Sequence, residues 1–113
     1  MLRTSLGIGA AAMFAIAVLA APASSPRAQP EPVTVKIANF TFNPKTVTVP
    51  LGATVTWIND DDVPHTVVAN DGSFRSKPLD TGDTYAVTFR TPGEHSYFCS
   101  IHPMMTGKVL VKG

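Results

Sequence analysis

Between Phe98 and Val109 the chain reads FCSIHPMMTGKV. This stretch holds the only cysteine of the sequence, Cys99, with His102 three positions on and two adjacent methionines, Met104 and Met105. A thiolate, an imidazole and a thioether are soft or borderline metal ligands. A loop held at both ends by strands can aim several of them at one point. A further ligand has to come from elsewhere in the chain, and the candidate is His65, which follows the turn NDDDVP and opens the run HTVVA. Pro64 fixes the backbone immediately before it. Two imidazoles, one thiolate and one thioether suit copper: a trigonal His2Cys plane with a weak axial Met is the ligand set of blue-copper electron-transfer sites. Zinc sites more often combine Cys and His without a thioether, so a methionine is the discriminating ligand.

The surrounding elements are short and alternate with period two. VTVKI places Val33, Val35 and Ile37 on one face, and TVTV (46–49) and ATVTWI (53–58) alternate likewise. HTVVA (65–69), TYAVTF (84–89), EHSYF (94–98) and GKVLV (107–111) complete the set. Turn residues separate them at Asn43-Pro44, Pro50-Leu51-Gly52, Asn59 to Pro64, Asp71-Gly72, Thr81-Gly82 and Thr91-Pro92-Gly93. About seven short strands with regular turns predict an all-β, two-sheet Greek-key sandwich. Phe40, Phe42, Val47, Val49, Val55, Trp57, Val67, Phe89, Tyr97 and Val109 are its natural core.

The 113 residues are enough for one small domain, but not all belong to it. The start carries Arg3, an apolar Ala-rich run from about Leu6 to Ala20, and small residues around Ala21-Pro22-Ala23. That is the pattern of a cleaved export signal, and the run is short for a membrane span of roughly 20 apolar residues. Residues 1–28 are expected to be signal peptide and linker, cleaved near 20–28, and residues 29–113 the domain. The domain carries seven Lys or Arg against eight Asp or Glu, a net charge of −1 with no basic stripe, so nucleic acid is not the expected partner. One cysteine allows no internal disulfide, and a lone thiol in an oxidising compartment is buried, paired with another chain, or bound to metal.

The chain resembles a small cupredoxin, a type 1 blue copper protein, of the amicyanin and plastocyanin group. The resemblance runs from about Val33 to Val111, through FTFNPKTVTVPLGATVTWINDDDVPHTV and GEHSYFCSIHPMMTGKVLV. It implies one copper ion per chain on His65, Cys99, His102 and Met105. The close Cys-His-Met spacing is amicyanin-like, and it selects Met105 over Met104. It also implies that Asn59 ties the loop bearing His65 to the loop bearing Cys99, with an N–H from that region donating to the Cys99 sulfur. Members of the group usually have proline two positions after the ligand cysteine. Here Ile101 stands there, and its N–H is expected to supply a second bond to the sulfur. His95 is read as a surface or sheet residue, and Asp60-Asp61-Asp62 as a solvated turn.

The function implied is a monomeric, periplasmic one-electron carrier, not an enzyme, with no stable membrane association. Its partners would be redox proteins of the dehydrogenase or cytochrome c type, docking near His102 and Met104. The alternative is a periplasmic copper-binding, delivery or resistance protein using the same ligands. A multicopper enzyme needs a second centre with more histidines, and only His95 remains. A Cys–His nucleophile lacks an orienting acid and would leave Met105 unexplained.

Overall fold

The computed structural model describes residues 30–113; the expected export signal and its cleavage positions lie outside the described residues. Eight strands form two four-stranded sheets. The first sheet runs β2 (Thr41–Asn43), β1 (Val33–Ala38), β4 (Thr54–Asn59), β6 (Thr84–Thr88). The second runs β3 (Thr46–Pro50), β8 (Thr106–Lys112), β7 (Gly93–Phe98), β5 (Val68–Ala69). Each sheet has one parallel pair, β1 with β4 and β3 with β8, and the other neighbours are antiparallel. This is the expected all-β sandwich.

The alternation in the sequence becomes the inner face of the sandwich. In β4, Val55, Trp57 and Asn59 are buried in turn. In β3 and β8 the paired residues Val47 with Val109 and Val49 with Val111 face inward together. Burying a side chain of this size contributes about 1.5–3 kcal/mol. Trp57 lies against Tyr97 of β7 edge to face, at a centroid distance of 5.2 Å, which joins the two sheets at the centre of the core.

Two departures from the sequence expectation shape the site. The run HTVVA is a strand only at Val68–Ala69. Residues 65–67 pair instead with the connection before β6. His65 and Leu79 exchange both backbone bonds, at 3.2 and 2.7 Å, and Ser76 N–H donates to Val67 O. The second departure is Phe40, which is 50% exposed and not a core residue. It sits in the two-residue turn between β1 and β2, where Asn39 and Phe40 have φ of 53° and 59°. That turn sends its side chain out of the sandwich and toward the loops at the end of the sheets.

Candidate metal centre

Three segments meet at one end of the sandwich: the loop between β4 and β5, the loop between β7 and β8, and the β1–β2 turn. Cys99 follows the last residue of β7, and Met105 precedes the first residue of β8. The loop between them is closed by backbone bonds from Cys99 N–H to Met105 O, His102 N–H to Cys99 O, and Met105 N–H to His102 O. Its ends are therefore fixed by the antiparallel β7–β8 ladder, and its candidate ligand residues by its own internal turns.

Within this frame His65, Cys99 and His102 each offer one donor atom, all within 4.8 Å of one another. Cys99 Sγ lies 3.8 Å from His65 Nδ1 and 3.7 Å from His102 Nδ1. Protein sites bind zinc at about 2.0–2.1 Å to imidazole and about 2.3 Å to thiolate; such bonds at a trigonal centre separate N from S by about 3.8 Å. The spacing of the three donors fits one such ion. Met105 is 5% exposed and packs in the core cluster beneath the loop, whereas Met104 is 94% exposed. His65 and Cys99 are fully buried and His102 is half-buried, the one member of the trio open to solvent.

The thiol is prepared for ionisation. Burial alone pushes it up, but the Thr66 N–H at 3.3 Å, the His65 ring, the Thr66 hydroxyl at 3.7 Å and the His102 ring outweigh that. Together they bring it from 9.0 down to about 6. The thiolate is the form that binds a metal.

The hydrogen bonds to the sulfur correct two expectations. Apart from the two histidine rings, the groups bonded to it are the N–H and hydroxyl of Thr66, and the Ile101 N–H is not among the hydrogen bonds to Sγ of the described residues. Ile101 is 47% exposed on the outside of the loop. Among the described residues, no side-chain hydrogen bond of Asn59 runs to the Cys99 loop. Its buried amide donates to Val63 O at 2.9 Å and to Leu79 O at 2.8 Å, so it braces the two segments that carry and pair with His65. The joint between the His65 and Cys99 loops is Thr66: its hydroxyl accepts the Ser100 N–H at 2.7 Å and shares a hydrogen bond with Ser100 Oγ at 2.8 Å.

The acidic run is also not wholly solvated. Asp61 holds His65 Nε2 at 2.8 Å. Once an ion is bound, a carboxylate there keeps the ring proton on Nε2 and gives the Nδ1 lone pair to the ion, the outer support that ligand histidines generally have. Burial would raise Asp61, but the N–H groups of Phe40 and Asn39 and the His65 ring hold it below the ordinary carboxylate value. Asp60 and Asp62 take no part in this. His95 stands apart, with its Nε2 at 2.9 Å from Thr91 O and its ring against Phe89.

Comparison with known proteins places these features in a family. Residues 9–111 match the model of the cupredoxin-like domain. The chain is 31% identical to amicyanin of Paracoccus versutus over 93% of this chain and 92% of that protein. It is 35% identical to amicyanin-alpha of Methylorubrum extorquens over 91% and 88%. Among solved structures, an oxidized amicyanin mutant superposes with a TM-score of 0.68 at 32% identity, covering 71% of this chain and 81% of that one.

Proposed function

The chain belongs to the cupredoxin-like family, and from that premise we propose that it is a one-electron carrier with a single type 1 copper site on His65, Cys99, His102 and Met105. The observation that carries the reading is the convergence of two imidazole Nδ1 atoms on one buried thiol, at 3.8 and 3.7 Å, above a buried methionine. Bound copper would supply a Cu(I)/Cu(II) couple that takes up and releases one electron at a time.

The protein groups set how little must move. His65 is fixed from behind by Asp61, and the Cys99 sulfur is fixed by Thr66. The Cys99–Met105 loop is closed on itself by three backbone bonds. A site held from all sides changes little in shape when its charge changes, which favours fast exchange. His102 is the route to the surface, and Met104 and Ile101 on the same loop form an exposed apolar contact for a partner. We assign partners of the dehydrogenase or cytochrome c type to this surface, and a monomeric, periplasmic carrier released by cleavage near residues 20–28. No catalytic group beyond the ligand set is needed, so the protein is read as a carrier and not an enzyme.

The test is the visible and electron-spin-resonance spectrum of the protein with one equivalent of Cu(II). A strong blue band and a one-to-one endpoint are expected. A pale complex with a thiol still open to alkylation would overturn the reading. Rapid electron self-exchange separates a carrier from a copper-delivery protein that uses the same ligands.

A further inference from the structure

The β1–β2 hairpin is closed by two residues that both have positive φ, Asn39 at 53° and Phe40 at 59°. A turn of this shape favours Asn followed by Gly. The first residue conforms. The second is phenylalanine, and a bulky side chain in the left-handed region is an outlier that something else must hold in place. It gains no core burial in return, being 50% exposed. Its ring instead lies edge-on to both candidate ligand rings, 4.9 Å from His102 and 5.4 Å from His65, with interplanar angles of 88° in each case. Edge-to-face is a favoured aromatic geometry.

What holds the turn is Asp61. Its Oδ1 accepts the Asn39 N–H at 2.7 Å and its Oδ2 accepts the Phe40 N–H at 3.0 Å. The same Oδ2 is 2.8 Å from His65 Nε2. Asp61 is anchored in turn: its own N–H donates to Asn59 Oδ1 at 2.9 Å, and the Thr81 hydroxyl donates to its carbonyl. One carboxylate thus joins the buried ligand to a turn that follows a strand of the first sheet.

We propose that Asp61 and the Asn39-Phe40 turn form one positioning device for the metal centre. The carboxylate orients His65 and holds the turn in its left-handed form, and the turn lays Phe40 across His65 and His102. Phe40 then limits the tilt of the half-buried His102 and covers that side of both rings from water. The device rests on reading these histidines as ligands, but its geometry is measurable without copper.

The experiment uses the full protein with Asp61→Asn and Phe40→Gly. In the metal-free wild type, proton NMR should show cross-relaxation between the Phe40 ring and the His65 and His102 rings. Asp61→Asn should lose these cross-peaks, lower Cu(II) affinity about 10–100-fold as loss of an outer ligand support does, and raise the reduction potential. The rise follows because a neutral amide makes His65 a weaker donor to Cu(II). Phe40→Gly should leave the thermal midpoint of the metal-free protein equal or higher, since glycine suits the turn, while Cu(II) is removed by a chelator about tenfold faster or more. Unchanged cross-peaks and affinity in Asp61→Asn, or a lowered midpoint in Phe40→Gly, would overturn the proposal. If Asp61→Asn does not fold, Phe40→Gly decides alone. Failure of the wild type to bind copper would sink the electron-carrier reading, while the metal-free cross-peaks still decide the positioning.

Discussion

Met104 and Met105 are chemically identical neighbours with opposite surroundings. One is 94% exposed and the other 5%. An axial thioether is the weakest bond of a blue-copper site and mainly tunes its potential. Met105→Ala should therefore retain bound copper and shift the potential, and Met104→Ala should leave both spectrum and potential as they are. Voltammetry and the visible spectrum read this directly; the reverse pattern would assign the axial position to Met104. Cys99→Ser should abolish the blue band altogether, because that band needs sulfur. Tyr97 supports a different test. Burial pushes its phenol from 10.0 up to about 12, and among the described residues its hydroxyl has no hydrogen-bond partner. The unfolded chain therefore ionises this group first. The stabilisation is complete below about pH 10 and is lost as pH rises toward about 12. Relative to Tyr97→Phe, the wild type should lose on the order of 2 kcal/mol over that window, read from urea midpoints of the metal-free protein at a series of pH values. Parallel losses in the two proteins would show that the phenol ionises as readily folded as unfolded.

The strands hold the site by close fits that a single methyl group tests. Gly107 of β8 is directly opposite Tyr97 of β7, and a Cβ built on Gly107 would run into the Tyr97 ring. Glycine in a strand often marks such an approach. Gly107→Ala should cost about 1–3 kcal/mol, the usual range for overpacking, measured by chemical denaturation. The cost should shrink in a Tyr97→Leu background, because the two residues are in contact and their effects do not add. The same scale explains what could be read from sequence. Runs such as TVTV and ATVTWI announced their strands because period two is a local property, and Cys99, His102 and Met105 share one short loop. HTVVA looked like a full strand because its partner, residues 76–79, has no period and is recognisable only once folded. Asp61 was not separable from Asp60 and Asp62, since three consecutive aspartates are alike until the Asn39-Phe40 turn selects one. Thr66 gave only the signal of standing next to His65. Phe40 was misplaced because an aromatic between two strands is usually core, and nothing local shows that it occupies the glycine position of a turn.

At the scale of the molecule, the sandwich presents one mixed end to its surroundings. Phe40, Ile101 and Met104 are exposed around His102. Asp60, Asp61 and Asp62 occupy the loop beside Phe40, joined through Thr81 to the turn that carries Asp80 and Asp83. Lys36 offsets little of this, since its contact with Asp60 is 3.9 Å long and both groups are exposed. An apolar contact with an acidic shoulder has a definite kinetic signature. When two copies exchange an electron, their apolar tips must meet, and the shoulders of like charge oppose the approach. Screening shortens that repulsion to about 10 Å at 0.1 M salt. The self-exchange rate of the copper protein, measured by NMR line broadening in mixtures of the two redox states, should therefore rise with salt and then level off. The expected plateau would report the proposed apolar contact, since transient redox encounters bury little area. Met104→Glu places a charge at the centre of that contact. It should slow exchange most at low salt and steepen the salt dependence, with spectrum and potential unchanged because the side chain points away from the ligands. A rate indifferent to salt in both proteins would move the docking surface away from this end. A changed spectrum in Met104→Glu would instead show that the loop holds Met104 against the ion.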